Sequence, residues 1–283
     1  MPDLATVEDV ARAFRRPSLP VTREQMARYK LSLPLQFRPG SRMAYSNFGY
    51  LLLGLIVDHF SPTDYVGFVQ QQIMRPLGLT RPHLAPAPIA EQRAGTARHH
   101  DHDVLGNDLR VMQSAMTGPV EGHRPQVPLA YGGEDLRLFD AFGGWCMAAV
   151  DFARILASLD RGDASPVLNQ ASLDLMWAPQ PFAPGSTYVN GWDRFDEGDG
   201  VFGVQHGGGM PGVSSRILWR SDGWGFVVFS NGAALPDIYP ELADVSARDW
   251  PDHDLFPEVG VPSFSAEVID SSSEARIASS TRR

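Results

Sequence analysis

The chain has 283 residues, 43% hydrophobic and 20% charged, with 33 acidic against 24 basic side chains and a formal net charge of −9. Such a length and composition describe a folded chain near the upper end of the single-domain range, and the acidity argues against a nucleic-acid binder. No window holds the ~18 uninterrupted apolar residues of a membrane helix, and a single cysteine, Cys146, excludes an intrachain disulfide and a multi-cysteine zinc site.

Met1–Arg16 alternates charged and small residues without the apolar stretch of a secretory signal, which leaves the location open. Lys30 is the only lysine and every other basic residue is arginine, a bias of GC-rich, bacterial genomes. Any chemistry that needs a lysine therefore falls to Lys30 or does without. Residues 5–30 read as two short helices, and the stretch from Leu33 to Gly40 as a loop leading into Ser41. From Phe48 the apolar positions Leu51, Leu52, Leu55 and Ile56 have the spacing of a helix with one buried face, which Ser61 and Pro62 stop. A second helix spans Asp64–Met74, and residues 80–135 are loop-rich. Further helices cover about Val150–Leu159 and Gln170–Trp177.

The texture then changes. Thr187–Trp192, Val201–Gln205, Ser214–Arg220 and Trp224–Ser230 are short, rich in β-branched and aromatic residues, and punctuated by glycine. Asp222-Gly223 between the last two is a strong hairpin signal. Helices followed by antiparallel strands predict an α+β fold. Ser263–Arg283, rich in Ser, Ala and charge, reads as a disordered tail behind a domain of residues 1–262.

Two runs carry chemistry. Pro39-Gly40-Ser41-Arg42-Met43-Ala44-Tyr45-Ser46-Asn47-Phe48-Gly49-Tyr50 sets a tyrosine and an asparagine two apart in a turn before the buried helix, a spacing that lets both side chains face one cleft. Taken alone, the same spacing also describes a helix-capping Asn47 with a packed Tyr45 ring. Gln205-His206-Gly207-Gly208-Gly209-Met210-Pro211-Gly212 follows a predicted strand, and its glycines bare backbone N–H groups for a ligand or a developing oxyanion. The other reading of that run is a flexible connector. His99, His100, Asp101, His102 and Asp103 are adjacent in sequence and point in different directions, which favours a polar turn over a metal site. Cys146, beside Trp145 and Met147, reads as a free core thiol.

Together with Gly143-Gly144-Trp145, the two runs resemble the serine β-lactamase and penicillin-binding-protein superfamily, nearest its β-lactamase-related branch of class C enzymes, D-aminopeptidases and esterases. The resemblance covers about residues 5–260. It implies an antiparallel sheet on a mostly helical subdomain, with acyl transfer from an ester, amide or β-lactam to serine, and with neither metal nor organic cofactor. By motif position it makes Tyr45 the proton-transfer partner of the nucleophile and puts His206 where a strand lysine often stands. Asn47, Gly207 and Gly208 hold the substrate, and Gly209 offers an oxyanion N–H. The family's nucleophile motif, Ser-x-x-Lys, has no counterpart here, since Ala27 stands three residues before Lys30. Expected, therefore, is an N-terminally incomplete fold, inactive as written, whose sheet lacks two early strands and leaves Ile217, Trp219 and Val228 uncovered. Self-association through an uncovered sheet edge follows from that expectation. The rival reading is a non-catalytic relative that binds peptidoglycan-like or acyl ligands; a weaker one is a metal-dependent hydrolase built on His99–Asp103.

Overall fold

The computed structural model describes residues 5–101, 110–179 and 186–232, all within the compact unit Met1–Asp237. The expected tail at 263–283 and the boundary at 262 lie outside the described residues, as do His102 and Asp103.

The helical part comes first: α1 (Val7–Ala13), α2 (Arg23–Leu31), α3 (Asn47–Phe60) and α4 (Tyr65–Val69). Thr22 and Gln25 close a reciprocal cap on α2. The Ser46 side chain accepts the Gly49 N–H at 3.0 Å and starts α3. The α4 segment runs on into a π-turn, Gln70–Met74, so the helix expected over Asp64–Met74 changes pitch midway. Val10, Met26, Leu51 and Leu136 form the centre of this part's core.

Short strands follow: β1 (His83–Leu84) pairs with β4 (Trp145–Cys146), and β2 (Val111–Gln113) with β3 (Gln126–Pro128). After α5 (Ala149–Leu159) and α6 (Gln170–Trp177), four strands make an antiparallel sheet in sequence order: β5 (Asp193–Gly198), β6 (Val201–Met210), β7 (Val213–Arg220) and β8 (Gly225–Ser230). Leu156, Leu159, Leu173 and Trp177 of the two helices pack on Val204, Ile217 and Trp219 of the sheet. The Trp177 and Trp219 rings stack at 4.3 Å, and the Trp219 indole N–H donates to the Asp160 carboxylate at 2.7 Å. This is the expected α+β architecture. Among the described residues no helix is long and apolar enough to cross a membrane.

Four details differ from the sequence-based expectation. Thr187–Trp192 is a turn with one bridge, Tyr188 to Asp193, and the strand begins at Asp193. Gly191 at φ 93° bends the chain where β-branched neighbours suggested a strand. The glycine run is part of β6, paired residue by residue with β7, so the connector reading is wrong. Ile217 and Trp219 are buried beneath α5 and α6, because they fall on the helix-facing side of β7; Val228, on the opposite side, is half-buried. Ile56 is 50% exposed, and the close face of α3 is built on Leu51 and Gly54 instead.

Candidate active site

The site begins with a helix cap. Ser46 must be extended to cap α3 (φ −146°, ψ 107°), so Tyr45 stays outside the helix and Asn47 becomes its first residue. Asn47 is buried, Tyr45 is 52% exposed, and the Tyr45 hydroxyl donates to Asn47 Oδ1 at 3.3 Å. The alternative reading of Tyr-x-Asn, a capping Asn47 with a packed ring, is corrected: Ser46 caps, and its two neighbours share a hydrogen bond.

His206 enters from the sheet. Its cross-strand neighbours are Ile217 and Val227, both packed toward α5 and α6, so the ring lies on the helix-facing side. There it meets Tyr45 with ring centroids 6.5 Å apart. Tyr188, from the turn before β5, lies edge-on to Tyr45 at 5.8 Å and to His206 at 6.4 Å. His206 Nδ1 lies 2.7 Å from the Gly191 carbonyl oxygen. The structure therefore brings Tyr45, Asn47 and His206 together from two elements far apart in sequence.

Gly207, Gly208 and Gly209 are exposed along β6. The β6–β7 hairpin closes on the two-residue turn Pro211-Gly212, with Met210 opposite Val213. From that pair inward, an antiparallel ladder alternates residues bonded to β7 with residues whose backbone groups point away from it. Gly207 and Gly209 fall in the outward set. On that side β5 ends its pairing at Asp193 opposite Gln205, so both glycines face beyond the strand. A side chain at Gly209 would meet nothing within 4 Å, whereas one at Gly208 would press on Ser215 Oγ at 2.6 Å. Open space thus lies on the side-chain face of Gly209.

Burial raises the Tyr188 phenol well above the ordinary tyrosine range, and the neighbouring Tyr50 and Tyr45 add to the shift. Its hydroxyl is shielded from solvent, with the Tyr50 phenol as its polar neighbour. Tyr188 and Gly191 escaped the sequence reading because their segment was read as a strand; the glycine inside it was the one available signal.

Other candidates lie elsewhere. Lys30 Nζ sits 5.8 Å over the Phe48 ring. His99 stacks on Tyr131 at 5.6 Å, and burial lowers its pKa. The His100 N–H donates to the Asn231 carbonyl at 3.1 Å, and Asp101 pairs with Arg110 at 2.5 Å. Among the described residues no group of three His, Cys, Asp or Glu could hold a metal ion. Burial raises the Cys146 thiol, which keeps it in the less reactive protonated form. The arrangement brings together a phenol (Tyr45), an imidazole (His206) and a carboxamide (Asn47), with an outward N–H at Gly209. The nearest hydroxyl in sequence, Ser46, is committed to capping.

A beta-lactamase family model matches residues 1–247. A putative D-alanyl-D-alanine carboxypeptidase of Escherichia coli is 45% identical over 47 residues, covering 17% of this chain and 11% of that protein. Protein flp of Staphylococcus aureus is 24% identical over 200 residues, covering 70% of this chain and 35% of that protein. Among solved structures, the octameric penicillin-binding protein homologue from Pyrococcus abyssi superposes with TM-score 0.56 at 21% identity, over 82% of this chain and 49% of that one. D-amino acid amidase from Ochrobactrum anthropi gives TM-score 0.53 at 22% identity, over 76% and 59%. These structural likenesses speak for the fold, and the chain spans less than two thirds of each of these relatives.

Proposed function

Because this chain belongs to the beta-lactamase family, we propose that its cleft is the substrate-holding and proton-transfer side of a serine hydrolase acting by acyl transfer on an ester, amide or β-lactam. The observation that carries the reading is the convergence of Tyr45 and Asn47 with His206 at the start of the exposed glycine run. Tyr45 exchanges a proton with the attacking serine and the leaving group. Asn47 binds the acyl-side amide or ester, Gly207 and Gly208 run alongside the substrate, and the Gly209 N–H receives the developing oxyanion. His206 supplies the second proton-transfer group.

No Ser-x-x-Lys occurs in the 283 residues, and a proton shuttle without an attacking atom gives no acyl-enzyme. The chain by itself is therefore read as inactive. Residual transition-state stabilisation without a nucleophile reaches ~10³–10⁴-fold over water in serine proteases. Here it falls lower, since the oxyanion donor from the nucleophile's own backbone is missing too.

The test is covalent labelling. The 283-residue chain is incubated with a fluorophosphonate and with a penicillin, alone and joined to a Ser-x-x-Lys segment from a relative. No label on the chain alone, label and esterase turnover on the joined protein, and loss of most turnover on Tyr45→Phe are expected. Hydrolysis by the unjoined chain that survives Tyr45→Phe overturns the site. Saturable binding of a peptidoglycan fragment without any labelling, even in the joined protein, favours a non-catalytic binding relative.

A further inference from the structure

The turn that displaces the expected strand at 187–192 does more than connect α6 to the sheet. We propose that Gly191 is the positioning residue of His206: its carbonyl holds the ring in the Nδ1–H form, which makes Nε2 the proton acceptor of the cleft.

The argument starts from what a carbonyl can do. An amide oxygen only accepts, so a contact of 2.7 Å from His206 Nδ1 requires the hydrogen to sit on Nδ1. In the neutral ring the lone pair is then on Nε2. When Nε2 takes up a proton the ring becomes imidazolium, and the Nδ1–H bond to the Gly191 oxygen turns charge-assisted and strengthens. The contact thus favours the acceptor role at both stages.

The turn is built to keep that oxygen in place. The Val189 N–H donates to the Trp192 carbonyl at 2.8 Å, and the Gly191 N–H to the Val189 carbonyl at 2.7 Å. Asn190 is tied to the end of α6 by its side chain, which donates to the Leu175 carbonyl at 2.9 Å, and by its N–H to the Met176 carbonyl at 3.3 Å. Gly191 itself has φ 93°, where an L side chain is strained, and a Cβ would stand 3.1 Å from the Tyr50 hydroxyl. Glycine meets both conditions. The groups facing the ring from the surrounding elements are Tyr45 ahead of α3 and Tyr188 in the turn itself. Neither contact fixes a tautomer, since both are ring packing.

The catalytic meaning of this assignment rests on the acyl-transfer reading, but its test needs neither nucleophile nor substrate. Long-range ¹⁵N NMR of the histidine-labelled full chain reports which ring nitrogen carries hydrogen, and the spectrum of His206→Gln identifies the signal. Expected are an Nδ1–H neutral ring at His206, a shift toward the Nε2–H form in Gly191→Ala, and an unchanged Nδ1–H form in Tyr188→Phe. An Nε2–H ring in the unsubstituted chain overturns the proposal, as does an unchanged tautomer in folded Gly191→Ala or a lost one in Tyr188→Phe. If Gly191→Ala does not fold, the unsubstituted spectrum decides. Covalent labelling can fail while the Nδ1–H form stands, and the reverse, so the two readings fall separately.

Discussion

Arg23 of α2 stands between two carboxylates, Asp58 of α3 at 2.7 Å and Asp140 of the following loop at 2.5 Å. Asp58 also accepts the Tyr65 N–H at 2.6 Å, so one cation ties together the helices that carry the Tyr45 turn. Asp140 is 3% exposed. Burial raises its pKa, with Arg23 and the Ala141 N–H pulling the other way. The folded chain then keeps the Asp140 proton to higher pH than the unfolded chain, whose carboxylates titrate at about pH 4. The stability this group contributes is full below that range and is lost as pH rises through the folded pKa. Asp140→Asn has nothing to titrate. Its melting temperature relative to the parent should therefore climb from about pH 4 upward and then level off; a difference that is flat or falls with pH contradicts the assignment. At this scale the sequence pointed to the residues that converge, because Tyr45, Asn47 and His206 are polar or aromatic types in unusual runs. It was silent on the Arg23 cluster, since any of the many arginines was eligible for any acid.

Among the elements, α3 has the most exacting fit. Gly54 lets it close on the loop at Ala141: a Cβ there would stand 2.7 Å from the Ala141 Cβ. Helix propensity favours Gly54→Ala by about 1 kcal/mol, while forced overpacking costs about 1–3 kcal/mol. The expected outcome is a lower denaturation midpoint, recovered when Ala141→Gly is added. A midpoint that rises in the single variant would mean the loop yields freely. Gly209 of β6 is the contrast, with open space around its Cβ position. Gly209→Ala should leave the midpoint within about 0.5 kcal/mol of the parent, yet lower the activity of the joined protein by crowding the edge proposed to receive the oxyanion. The helices were legible from periodicity and stop signals, and the helix expected at Gln170–Trp177 has those bounds to the residue. The strand at Asp193–Gly198 was not, since its sequence DRFDEG lacks the β-branched residues that mark a strand; pairing with β6 and the turn at Asp199-Gly200 make it one.

Across the whole molecule the apolar surface lies in a different place from the one expected. Ile217 and Trp219 are covered, whereas Leu53 and Ile56 are each 50% exposed and Phe60 is 81% exposed, at helical spacing along one side of α3. Contiguous apolar patches of this kind favour association. Light scattering against concentration should therefore improve in Leu53→Lys with Ile56→Glu, with the melting temperature held, while Ile217→Lys should unfold the chain. If the paired α3 variant scatters as strongly as the parent, the association surface is elsewhere, with the sheet edge as the next place to examine. What the sequence determined by itself was everything encoded by local chemistry: the capped helices, the Asp222-Gly223 hairpin, the α+β order and the two runs that mark the family. Tertiary structure alone decided which side of each strand is buried, that the glycine run is a strand, and that the Gly191 carbonyl meets His206. Facing and cross-chain contact depend on register between segments, and register is set by pairings that no single segment contains.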